Sequence, residues 1–146
     1  MDAKLLLDDR GQRTYMLVFA IGDEVVSELT DFARKEKLAG SHFMAIGAFR
    51  EATLGFFNLE KKDYKKIPVS EQVEVVSLLG DIALQEDGSP KIHAHAVLSR
   101  ADGSTIAGHL INGQVRPTLE MTVVETPTAL RRRHDAAIGL GLIRLG

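Results

Sequence analysis

Apolar and polar positions change their period once along the chain. Residues 13–20, Arg-Thr-Tyr-Met-Leu-Val-Phe-Ala, are rich in β-branched and aromatic types and predict a buried strand closed by Gly22. From Asp23 the apolar positions Val25, Val26, Leu29, Phe32, Ala33 and Leu38 recur at threes and fours, while Glu24, Glu28, Asp31, Arg34, Lys35 and Lys37 take the other side. That spacing predicts an amphipathic helix, with Asp23 as its N-cap and Gly40 as its stop. Acidic residues lead and basic ones trail, as the helix dipole favours.

After Gly40 the pattern is that of an antiparallel sheet, with short apolar runs between turn signals. The predicted strands are residues 41–49, 52–58, 62–68, 73–84, 93–100, 105–111 and 118–125. Glu86-Asp87-Gly88-Ser89-Pro90 and Ala101-Asp102-Gly103-Ser104 are the clearest turns, because Asp-Gly supplies the positive φ that tight hairpins need. The alternation of Val73 and Val75 breaks at Val76, Leu78 and Leu79, which predicts a β-bulge near Ser77 or Gly80. No further helical pattern arises before the last fifteen or so residues. There Pro127 and Arg131-Arg132-Arg133-His134-Asp135 precede a Gly-broken apolar stretch, residues 136–145.

The expected architecture is therefore α/β (α+β): a mostly antiparallel sheet with one main helix packed on it. Residues 1–12 form an N-terminal extension, 13–126 the single domain, and 127–146 a C-terminal extension that docks on a neighbour. Residues 52–58 and 73–84 carry apolar side chains on both faces, and one helix covers only one of them, so neighbouring subunits are expected to cover the other.

Composition narrows the chemistry. At 45% hydrophobic and 26% charged residues the 146-residue chain is ordinary for one globular domain. Eighteen Lys and Arg against twenty Asp and Glu leave a net charge of -2, so no global basic field gathers phosphates. Trp is absent and aromatics are 5%, which starves base-stacking platforms. With no cysteine, disulfides, thiolate nucleophiles and cysteine-ligated metals are excluded, and any metal must use His, Asp or Glu. Leu5-Leu6-Leu7 is too short for a signal-peptide core or a membrane span, so a cytoplasmic location is expected. Neither GxGxxG after a strand nor GxxxxGK[ST] occurs, which excludes nucleotide sites of those kinds.

His93-Ala94-His95 places two imidazoles on one face of a predicted strand. His109 lies on the next strand, beyond the turn at residues 101–103. If Arg100 faces Ser104 across a three-residue loop, His95 sits opposite His109 and the three imidazoles converge. If Arg100 faces Thr105, His109 falls on the other face and the cluster fails. Three neutral imidazoles favour zinc, with a fourth position for water or a ligand. His42 is a possible fourth ligand, or a strand-edge histidine of no special role. Glu120 and Arg116 are candidate catalytic groups, the first as a proton carrier for metal-bound water and the second as an anion clamp. The plainer alternative is a salt bridge across the sheet or at a subunit contact. Arg131, Arg132 and Arg133 can touch phosphate, or form a solvated patch.

Several strings together resemble a known family. Gly40-Ser41-His42-Phe43-Met44-Ala45-Ile46-Gly47-Ala48-Phe49, Ala52-Thr53-Leu54-Gly55-Phe56-Phe57, Glu74-Val75-Val76-Ser77-Leu78-Leu79-Gly80-Asp81, His93-Ala94-His95 and Gly108-His109-Leu110 resemble, in that order, the PPC (plants and prokaryotes conserved) domain of the stand-alone bacterial and archaeal type. The resemblance implies a sheet with one main helix, a trimer, and a zinc site on His93, His95 and His109. In land plants the domain follows an AT-hook with an Arg-Gly-Arg-Pro core, and this chain has no such string, so DNA binding is expected to be weak. The expected function is a homotrimeric binding or regulatory module for a small molecule or a partner protein. The alternative is a small zinc-dependent enzyme that uses a metal-activated water.

Overall fold

The computed structural model describes residues 1–145. Its elements are β1 (Asp2–Asp9), β2 (Gln12–Phe19), α1 (Val25–Glu36), β3 (Gly40–Asn58), β4 (Asp63–Val69), β5 (Val73–Leu84), β6 (Pro90–Ser99), β7 (Thr105–Glu125), β8 (Arg131–Asp135) and β9 (Leu140–Arg144). The protein is 66% strand and 8% helix, so the expected α/β (α+β) class, with one main helix packed on a sheet, is corrected to a mainly β fold. The physical reason is closure. β7 pairs with β3, β3 with β5, β5 with β6, and β6 with β7 again, so the sheet covers much of its own inner face. A helical layer along its length is not needed.

Two long strands allow that ring. Residues 41–49 and 52–58, expected as separate strands, belong to one continuous β3, and 105–111 and 118–125 belong to one β7. Register shifts at Gly47/Phe49, Phe49/Glu51 and Thr53/Leu54 bend the pair, so that each strand serves different neighbours along its length. The bulge expected near Ser77 is present as a register shift between Val75 and Ser77.

The helix starts one residue later than its periodicity predicts. Glu24 is the N-cap, accepting from the Val26 and Ser27 N–H groups at 3.1 and 2.8 Å. Asp23 instead accepts from Ala20 N–H and pairs with the Met1 amino group at 2.9 Å. The stop is Lys37, left-handed at φ 55, ahead of Gly40. Val25, Leu29, Phe32 and Ala33 are buried, and the helix packs on β6 and β7. Leu17 and Phe19 of β2 join Phe49, Leu98, Leu119, Met121 and Val123 of the ring strands in a fully buried core.

The outer face is less covered. Directly opposed residues form a row, Met16, Thr122, Met44, Leu79, His95 and His109, and such residues share one face of the sheet. Met44, Ile46, Val76 and Leu79 are each more than half exposed there. β1, all eight of whose residues are exposed or nearly so, pairs only with β2 and ends the sheet. The last segment forms the hairpin β8–β9 rather than a helix. The Asp135 carboxylate accepts from Ala137 and Ile138 N–H at the turn, and Gly139 takes φ 84. The hairpin folds back on its own subunit, where Arg131 pairs with Leu84 of β5. Among the described residues no helix is long and apolar enough to cross a membrane.

Candidate metal centre

The turn between β6 and β7 decides the site. Arg100 N–H donates to Ser104 O at 2.9 Å across a three-residue loop in which Gly103 takes φ 81. Ser99 therefore faces Thr105, and His95 faces His109. His93, His95 and His109 converge, with ring centroids 5.2, 5.4 and 5.5 Å apart. One ligand nitrogen from each lies within 4.8 Å of the others.

Neighbouring strands hold the rings. Asp81 of β5 stands opposite His93 and contacts its Nδ1 at 3.2 Å, which leaves Nε2 as the free donor when Nδ1 carries the proton. The same carboxylate accepts from the Arg132 guanidinium, delivered by β8, which also donates to Gly141 O at 3.0 Å. Gly80 precedes Asp81 because a side chain there would strike the Phe43 ring and the His93 carbonyl. Tyr64 of β4 stacks on His109 with centroids 4.7 Å apart, above Gly55, where a Cβ would come within 2.7 Å of the tyrosine ring.

The electrostatics favour the neutral form of two of the imidazoles, His95 and His109. Burial, aided by the positive charge of His93, His95 and Lys91, pushes His109 down to about 4. Burial and His93 also lower His95. Burial alone would raise Asp81, but hydrogen bonds from His93 and Arg132 prevail and hold it below the usual carboxylate range. The donor set fits a metal ion: three clustered imidazoles, two of them resistant to protonation, and a buried His109 Nδ1 that no protein group satisfies.

A cavity of about 530 Å³ lies against His93 and His109 and is walled by Tyr64, Lys91, Ile92, Arg132 and the β8–β9 hairpin. The other candidates lie apart from the histidine group. His42 is exposed on β3 opposite Asp81, and is not among the clustered donors. Glu120 stands between Val18 and Ile46 on the outer face, and Arg116 is exposed at the start of the second half of β7. Neither forms an ion pair among the described residues, so the salt bridge between them is not seen within the subunit. Of the three arginines, Arg131 and Arg133 are exposed, while Arg132 is committed to Asp81. Asp81, Arg132 and Tyr64 were not legible as site residues in the sequence. Only the strand register places Asp81 beside His93, and only the hairpin brings Arg132 across from 51 residues away.

Residues 8–127 match the Plants and Prokaryotes Conserved (PCC) domain. Among solved structures, a plant- and prokaryote-conserved protein of Pyrococcus horikoshii is 30% identical, with a TM-score of 0.85, over 99% of this chain and 95% of that one. A metal-containing protein of Archaeoglobus fulgidus is 27% identical with a TM-score of 0.83, over 99% of both chains. A protein of Ralstonia eutropha JMP134 named "Putative DNA-binding protein" is 32% identical with a TM-score of 0.84, over 90% of this chain and 91% of that one. No curated protein matches the sequence. The ordered motifs from Gly40 to Leu110, the family match and these neighbours agree: the chain belongs to the Plants and Prokaryotes Conserved (PCC) domain family.

Proposed function

We propose that the protein is a homotrimeric binding module that holds one zinc ion per subunit on His93, His95 and His109, with a fourth position left to an exchangeable ligand. The observation that carries the reading is the approach of three imidazole nitrogens to within 4.8 Å. Neutral imidazoles without cysteine or clustered carboxylates suit zinc, which would supply a Lewis-acidic position for an oxygen ligand. The similarity to a protein named metal-containing supports the same reading. The trimer is supported by the exposed apolar row on the outer face, which a second and third copy would cover. A catalytic role gains little: Asp81, the carboxylate that touches His93, is also engaged by Arg132.

The test is elemental analysis of protein loaded with excess zinc and then dialysed. One zinc per subunit is expected, falling sharply in His93→Ala, His95→Ala and His109→Ala but not in His42→Ala or His134→Ala. Zinc content unchanged in His109→Ala overturns the site.

A further inference from the structure

We propose that the β8–β9 hairpin is a lid latched over the histidine cavity by Arg132, and that lid closure and metal binding favour each other. The proposal deepens the zinc reading by naming what regulates the site, and it rests on that reading for its ligand.

The hairpin is firmly tethered at one end only. Just before β8, Thr126 N–H and hydroxyl donate to Gly40 O at 3.0 and 2.7 Å, and Leu130 N–H donates to Ala39 O at 2.8 Å. Beyond this tether a single ladder pair, Leu84 with Arg131, joins the hairpin to the sheet. No residue from 131 to 145 is buried, and Leu140 and Leu142 border the cavity of about 530 Å³. A segment with so little buried apolar contact opens locally at small cost.

Among the described residues three side-chain contacts hold the far end. His134 N–H donates to Glu86 at 3.0 Å and Lys62 Nζ to Ala136 O at 2.6 Å, both exposed to water. The third, Arg132 to Asp81, is the sheltered one, with the arginine side chain only 10% exposed. It is also the one that reaches the metal site, since the other carboxylate oxygen of Asp81 contacts His93 Nδ1 at 3.2 Å. Closure leaves Arg132 Nε without a hydrogen-bond partner among the described residues, so this latch releases more readily than a fully satisfied pair.

The coupling follows from the shared carboxylate. With the lid closed, Arg132 and His93 hold Asp81 from two sides, and the carboxylate in turn fixes the His93 ring for ligation. With the lid open, Asp81 keeps one partner and the ring is less constrained. Metal therefore binds the closed form more tightly, and by reciprocity a bound metal favours closure by the same factor.

The experiment is hydrogen–deuterium exchange on the full chain, with chelator and with saturating zinc, zinc content being measured on the same samples. Backbone amides of residues 131–144 should exchange about tenfold more slowly with zinc. Those of β1, at the opposite end of the sheet, should not change. In Arg132→Met the hairpin should exchange fast in both states, although the variant still holds metal at saturating zinc. A zinc-loaded parent whose hairpin exchanges as it does in chelator overturns the proposal and leaves the metal reading standing. An Arg132→Met hairpin that zinc still protects does the same. A parent that holds no zinc overturns both.

Discussion

Asp81 is a positioning residue for His93, and Arg132 positions Asp81 in turn. Carboxylates behind a ligating imidazole fix its tautomer and raise its basicity, so Asp81→Asn should lower zinc affinity about 10- to 100-fold. Arg132→Met should act in the same direction, since it releases the carboxylate from one of its two partners. Competition with a chromophoric chelator measures both, and an affinity equal to the parent in Asp81→Asn removes the relay. The metal-free protein should also show a definite pH dependence. His109 has a folded value of about 4, below the ordinary imidazole value of about 6.5 in the unfolded chain. Between those values the unfolded state binds more protons, so stability is full above pH 6.5 and falls as pH drops toward 4. Urea midpoints in the presence of chelator should decline from pH 7 to pH 5, and the slope should flatten in His109→Gln. A parent protein with no decline contradicts the burial argument. At this scale the three histidines were legible because strand alternation and one loop length determine where their rings go. Asp81 and Arg132 were not, since an Asp after Gly80 and an Arg in a basic run read equally well as surface.

The loop at residues 101–103 carries the element-scale consequence. Gly103 sits at φ 81 with open space where a Cβ would go, so Gly103→Ala adds backbone strain and no collision. The expected cost is about 1 kcal/mol, read as a shift of the urea midpoint at constant slope. A neutral substitution would mean that the loop tolerates another conformation and that the His95–His109 pairing is less firmly set. Strand positions were well read from alternation, but strand continuity was not. Arg50 and Glu51 read as a break between two strands, whereas the chain bulges there and continues, because the neighbouring β7 bulges with it. The closing hairpin was missed for a different reason: Gly139 and Gly141 interrupt the periodicity, and its strands are only five residues each.

For the whole molecule, closure of the ring buries much of the inner face within one subunit and leaves apolar side chains exposed on the outer face. Light scattering during size exclusion should give three times the 16.0 kDa subunit mass, and Leu79→Asp, in the middle of the outer row, should lower it. A monomer mass for the parent at micromolar concentration rules the trimer out. Duplex DNA should bind no more tightly than the non-specific range of about 10⁻⁴ to 10⁻⁶ M at physiological salt, because the net charge is -2 and Arg132 is already paired. A band shift at nanomolar protein would refute this. Ring closure itself was beyond sequence reading: the two Asp-Gly turns point to the hairpins that join β6 to β5 and β7, but closure also needs the long-range pairing of β3 with both β5 and β7. The strand at the free end of the sheet has a practical cost. β1 presents Leu5, Leu6 and Leu7 at 46–52% exposure along an edge with no further partner strand, a template on which another chain can stack. Lys4, Asp8 and Asp9 bracket that tripeptide as gatekeepers against fibrillar growth, so solubility on concentration depends on three charges far from the histidines.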